Sequence, residues 1–87
     1  MANHKSALKR ARQNEVRRVR NKSYKTSTKK AIKEVRAAVA NGSAEEARER
    51  LTKAVSIIQK TVSKGVIHKN QASRKISRLA RQVNQIS

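Results

Sequence analysis

Along most of this chain apolar residues recur at spacings of three and four, separated by Lys, Arg, Gln and Ser, which is the period of helices with one face turned to a core. In the middle segment Ala47, Leu51, Ala54, Val55, Ile58 and Val62 keep that period until Gly65. Near the C-terminus Ala72, Ile76, Leu79, Ala80, Val83 and Ile86 mark one face of another helix. Tyr24, Ala31, Ile32, Val35, Ala38 and Val39 supply a matching stripe on the segment before Asn41. Upstream of about Asn21 the pattern fails, because only Leu8, Val16 and Val19 are large and apolar there, scattered among Lys and Arg.

Punctuation divides these stripes into three helices, over about 5–40, 44–64 and 70–86. The first has no Gly or Pro inside it and ends at Asn41-Gly42, where Gly can take the left-handed conformation after a helix. Ser43 followed by Glu46 reads as a capping box opening the second helix, with Glu46–Arg50 and Glu49–Lys53 as i,i+4 pairs on its wet side. The link Gly65-Val66-Ile67-His68-Lys69 leads to Asn70, read as the N-cap of the third helix. Val66 and Ile67 are expected to close the end of the bundle, while His68 has three open readings: a phosphate contact, a cap or simple filler of the link.

The absence of Pro and the presence of only two Gly leave almost no turn chemistry for hairpins, so the fold expected is all-α, a three-helix bundle with an overlong N-terminal helix. At ~1.5 Å per residue the helices would be roughly 50, 30 and 25 Å long, so the two shorter ones cannot cover the first. Short connections make neighbours antiparallel, which lays the second helix along the C-terminal half of the first. Residues 1–20 are then a basic arm projecting beyond the bundle within a single domain. An isolated helix of that charge density is marginal in water, and the arm is expected to fray when free and to become helical on a polyanion.

Charge turns this geometry towards function. The 87 residues hold 23 Lys plus Arg against 5 Asp plus Glu, a net charge of +18 that a compact chain of this size holds against its own repulsion. Residues 1–33 have net +11, residues 34–67 net +2 and residues 68–87 net +5. A polyanion would relieve that repulsion, with nucleic acid as the leading candidate and an anionic membrane surface as its competitor. The lack of Cys removes disulfides and thiolate metal sites and fits a reducing cytoplasm. The opening MANHKSALKR has no apolar core of a secretion signal, and no window approaches the ~18 apolar residues of a membrane span.

The inventory does not support an enzyme. Glu34, Glu45, Glu46 and Glu49 have ready roles in ion pairs and helix dipoles, and Glu15 stands alone among arginines. His4 and His68 have no His or Cys at ligand spacing, so neither a metal nor any other cofactor is expected. The basic constellation is the chemistry. Arg18, Lys22, Lys25, Lys29, Lys33 and Arg36 form a continuous stripe beside the apolar one on the first helix. Earlier, Lys5, Lys9, Arg10, Arg12, Arg17, Arg18 and Arg20 surround the axis, which fits a helix buried between several backbones. Asn3, Ser6, Gln13, Asn14, Asn21 and Ser23 are interleaved, with hydrogen-bonding groups for phosphates and 2′-hydroxyls. Arg74, Arg78 and Arg81 make a second basic face on the third helix, which suggests bridging between separate nucleic-acid helices. Tyr24 is the only aromatic residue and lies on the apolar stripe, so single-strand stacking platforms are missing and recognition must rest on backbone charge and shape.

The segments MANHKSALKRARQ, RVRNKSYKTSTKKAIK, NGSAEEA and KGVIHKNQASRKISRLARQ resemble the bacterial small-subunit ribosomal protein S20 family over the whole chain. The resemblance implies a three-helix bundle with a long first helix. It also implies a cytoplasmic protein that binds small-subunit ribosomal RNA directly, at the 5′ domain and the long penultimate stem, with no small-molecule substrate, membrane or homo-oligomer. Its N-terminal signature falls on Asn3, Lys5, Ser6, Lys9 and Arg10, its central block on Arg20, Asn21, Lys22 and Lys25, and its C-terminal block on His68, Lys69, Asn70, Arg74, Lys75, Ser77 and Arg78. At position 4 the family often carries Ile where this chain has His4. Two rival readings stand beside it: a nucleoid protein that compacts DNA without sequence preference, and a membrane-surface peptide.

Overall fold

The computed structural model describes residues 2–87, with side chains from Lys5 onward. It contains three helices, α1 (Ala2–Ala40), α2 (Ala44–Ser63) and α3 (Lys69–Ile86), and no strand among the described residues. The bundle with an overlong first helix is therefore as expected, with the helix limits moved by one residue at the end of α2 and the start of α3. Helix α1 begins at Ala2 and not near Lys5.

Both turns are built the same way. After α1 the amide of Gly42 donates to the Val39 carbonyl at 3.0 Å and that of Ser43 to the Ala38 carbonyl at 3.2 Å. After α2 the Gly65 amide donates to the Val62 carbonyl at 2.9 Å and the Val66 amide to Thr61 at 3.2 Å. These nested bonds are the Schellman closure, which needs a left-handed residue at its centre, and Gly42 and Gly65 supply it with φ of 72° and 73°.

Two expected caps differ. Ser43 is the N-cap of α2 in extended backbone, but its side chain makes no capping bond, so the capping box with Glu46 does not form. The physical reason lies in the turn: the Ser43 amide that Glu46 would accept from is already donated to Ala38, and Glu46 lies 3.7 Å from Arg50. At α3 the N-cap is His68 and not Asn70, because Nδ1 of His68 accepts from the Asn70 amide at 3.1 Å, which places Asn70 inside the first turn. Of the readings open for His68, the cap is the one this geometry uses.

The core draws on all three helices: Ala31, Val35 and Ala38 from α1, Ala47, Ala54 and Ile58 from α2, and Ala72, Leu79 and Val83 from α3. Alanine at so many of these positions lets α1 and α2 approach closely, since the axial distance is set by the side chains between them. One polar pair is enclosed with them. Thr61 donates to the Ile57 carbonyl at 2.8 Å, so its oxygen accepts from the Thr28 hydroxyl at 3.1 Å, and both residues are buried. Glu34 and Arg50 add a half-buried ion pair at 3.1 Å between α1 and α2. The core stops at Thr28. Tyr24 and Asn21 are half-buried, and every residue from 5 to 20 is exposed. The molecule is accordingly 64 Å long and only 21 by 14 Å across.

Candidate nucleic-acid interface

The same apolar periodicity that ends near Asn21 leaves the N-terminal half of α1 as a bare helical rod. Lys5, Lys9, Arg10, Arg12, Arg17, Arg18 and Arg20 are all exposed on it, and so is Ser6. A helix turn of about 100° per residue distributes these cations around the axis rather than along one side. The rod offers charge in every direction to phosphates that surround it. Asn3 and His4 carry side chains outside the described residues.

Where α1 joins the bundle the distribution narrows to a stripe. Arg18, Asn21, Lys22, Lys25 and Lys29 line one shallow depression of about 450 Å³, together with Thr26. Lys33 continues the stripe and is exposed. Asn21 is the exception in burial: its Oδ1 is enclosed and has no hydrogen-bond partner, so only part of this residue faces the stripe.

A second surface lies on α3. Ser73, Arg74, Ser77, Arg78 and Arg81 line a depression of about 310 Å³ on the face away from Leu79 and Val83. Lys75 is exposed but lies about 100° round the helix from Arg74 and does not line it. His68, Lys69 and Asn70 are exposed at the start of the same helix. The acceptor role of Nδ1 in the cap puts the ring proton of neutral His68 on Nε2.

One electrostatic feature departs from the sequence reading. Glu15 is not alone, because Arg18 donates to it through both Nη2 at 2.7 Å and Nε at 3.1 Å, a fork across i,i+3. The hydrogen bonds from Arg18, and then its charge, hold the Glu15 carboxyl below its ordinary value, and the same contact pushes the guanidinium up. Arg18 therefore differs from the other arm cations, whose side chains have no such partner among the described ion pairs. The i,i+3 spacing was visible in the sequence. Thr26 and Ser73, which line the two depressions, gave no signal beyond their position on the basic faces.

Among the described residues no group of His, Cys, Asp or Glu is placed to hold a metal ion, and no helix is long and apolar enough to cross a membrane. The arrangement suits binding of a large anion over an extended surface.

Comparison with known proteins agrees with that chemistry. The sequence matches the family model of Ribosomal protein S20 over residues 2–84. It is 61% identical over 84 residues to the small ribosomal subunit protein bS20 of Syntrophobacter fumaroxidans, covering 97% of this chain and 98% of the relative. The bS20 protein of Desulfatibacillum aliphaticivorans is 56% identical over 87 residues, covering 100% of this chain and 99% of the relative. That of Sulfurimonas denitrificans is 54% identical over 86 residues, with 99% of this chain and 100% of the relative covered.

Proposed function

This chain belongs to the ribosomal protein S20 family, a family of structural proteins of the small ribosomal subunit and not of enzymes, and we propose that it works there by binding small-subunit ribosomal RNA directly and supporting the folding and assembly of that RNA. The observation that carries the reading is the arm: residues 5–20 are exposed throughout and hold seven cations and a single carboxylate. Packing within the chain leaves that surface uncovered.

In the proposed mechanism the bundle of α1, α2 and α3 fixes two cationic faces, one from Arg18 to Lys33 and one around Arg74 and Arg78, while the arm enters a crevice between RNA helices. Lys and Arg around the arm axis meet phosphates on several sides, Ser6 and Asn21 add hydrogen bonds, and the α3 face reaches a separate backbone. Released counterions supply much of the free energy. The sites proposed on the RNA are the 5′ domain and the long penultimate stem, in the cytoplasm, with one copy of the chain and no homo-oligomer. Discrimination against DNA rests on folded shape and on 2′-hydroxyls, since the chain lacks aromatic platforms for reading bases.

Nuclease footprinting on deproteinised small-subunit RNA, with and without the full chain, tests the reading. Protections are expected in those two regions, and excess random duplex DNA should fail to remove them. If about eight phosphates are neutralised, log affinity falls with log salt at a slope of about −6 to −7. A slope of about −2, or equal competition by DNA, overturns the proposal.

A further inference from the structure

The arm carries three large apolar side chains that the bundle leaves bare: Leu8, Val16 and Val19 are 53%, 68% and 55% exposed. They are not an unfinished stretch of core. On a helix that turns about 100° per residue, Val19 stands about 180° from the buried Thr28, and Leu8 about 180° from the buried Val35. By the same arithmetic Leu8 and Val19 lie within about 20° of each other, one line along the arm with Val16 beside it. That line is on the side of α1 turned away from the core. Lengthening α2 or α3 would not cover it.

Glu15 falls on this line too, about 20° from Leu8, with its carboxylate engaged by Arg18. Cations stand on both sides, Lys9 and Arg20 on one and Arg18 and Lys22 on the other, and they also enter the line, with Arg12 about 20° from Val19 and Lys5 about 20° from Val16. Aliphatic groups and the arm's one carboxylate set among cations suit a surface that offers sugar carbons and hydroxyls between phosphates better than a phosphate backbone alone. The target whose layout matches is the minor groove of an A-form RNA helix, wide and shallow, with ribose edges and 2′-hydroxyls on its floor between two phosphate backbones.

We infer that the Leu8–Glu15–Val19 face of the arm seats on the ribose edges of an RNA minor groove. The aliphatic side chains lie against sugar carbons, Glu15 accepts from a 2′-hydroxyl with the lone pairs Arg18 leaves free, and the marginal cations follow the two backbones. This rests on the RNA-binding reading above and deepens it, by naming the face of the arm and the part of the RNA.

The test compares the full chain with its L8A/V16A/V19A variant on deproteinised small-subunit RNA across a salt series. Ala is a better helix former than Leu or Val, so a loss of binding cannot come from a weakened arm helix. The variant should bind about tenfold more weakly at every salt concentration with the salt slope unchanged, because apolar contact is removed and no phosphate contact is. Hydroxyl-radical cleavage, which attacks ribose carbons at the minor-groove edge, should show sugars protected by the parent chain and reopened in the variant. Binding within about twofold of the parent, or a slope altered by about one or more, overturns the inference while the RNA reading survives. Self-association of the parent that the variant abolishes assigns the strip to a second copy and overturns it as well. A parent chain that does not bind the RNA removes the premise and the inference together.

Discussion

Replacing Arg17, Arg18 and Arg20 together by Ala should separate binding from folding. All three are exposed and lie upstream of the first core residue of α1, so the stability of the bundle should move by no more than about 0.5 kcal/mol. The effect on binding follows from charge. At ~0.7 to 0.9 per phosphate contact, three lost contacts reduce the magnitude of the salt slope by about 2 to 3, from about 6 to 7 to about 4. A fourfold rise in salt then lowers the affinity of the parent by about four orders of magnitude and that of the variant by about 10²- to 10³-fold. Arg18 adds a further term, because its removal leaves Glu15, now bound at 2.7 Å, as a naked carboxylate beside the RNA. Fluorescence anisotropy with labelled small-subunit RNA across the salt series reads the slope, and urea unfolding of the same samples reads the fold. An unchanged slope would show that the arm does not lie on phosphates. A loss of more than about 1 kcal/mol in stability would show that the arm belongs to the cooperative fold and that its separation from the core is wrong.

The converse variant is Ile58→Ala: with no exposed surface in the parent, the site should lose about 2 to 5 kcal/mol in urea unfolding and keep the parent salt slope on RNA. The enclosed threonine pair should be non-additive. Thr61→Val leaves the Thr28 hydroxyl buried without its partner at 3.1 Å and should cost about 1 to 3 kcal/mol, whereas Thr28→Val combined with Thr61→Val should cost less than the sum of the single changes. Additivity within about 0.5 kcal/mol in a double-mutant cycle would refute the pairing. The lowered Glu15 carboxyl stabilises the arm helix above the ordinary glutamate range, and that contribution is lost as pH falls through its depressed value. An NMR titration of the Glu15 side chain should therefore give a midpoint below the ordinary glutamate range, and Arg18→Ala should move it back up.

The parts of the fold that were legible in the sequence are those set by period and by Gly. Each of the three stripes supplies three core residues, with Ile32, Leu51 and Ile76 partly buried against them and Val55 and Ala80 outside the cluster, and Gly42 and Gly65 took the left-handed turns. Thr28 and Thr61 were hidden because their polarity argues against burial; each sits at core spacing, but only the facing of α1 on α2 shows that one hydroxyl answers the other. The choice of His68 over Asn70 as cap depended on which residue holds extended backbone, here φ −76° and ψ 145°, and side-chain preference alone does not decide that. Spacing alone pairs Arg50 with Glu46, yet its nearer partner is Glu34 at 3.1 Å on the neighbouring helix. Register between helices is not written in either helix by itself. The basic residues were the easiest part of the site to place, since charge without a partner stays in water and almost any helical reading puts it there.

One continuous helix serving both the core and the arm has an energetic consequence. Nucleation is the unfavourable step in making a helix, and in α1 it is already met where Thr28, Ala31, Val35 and Ala38 are held by α2 and α3. The arm then extends an existing helix by propagation, against only the repulsion of its like charges and the marginal propensity of its residues. It should fray progressively and not as one unit. Amide hydrogen exchange in the free protein should thus show protection falling steadily from Asn21 towards Lys5, with no step at the edge of the bundle, and RNA should raise it over the whole of residues 5–20. Uniform protection of that segment without RNA would mean that the arm is stabilised by something other than its junction with the core, and that RNA binding orders no separate segment.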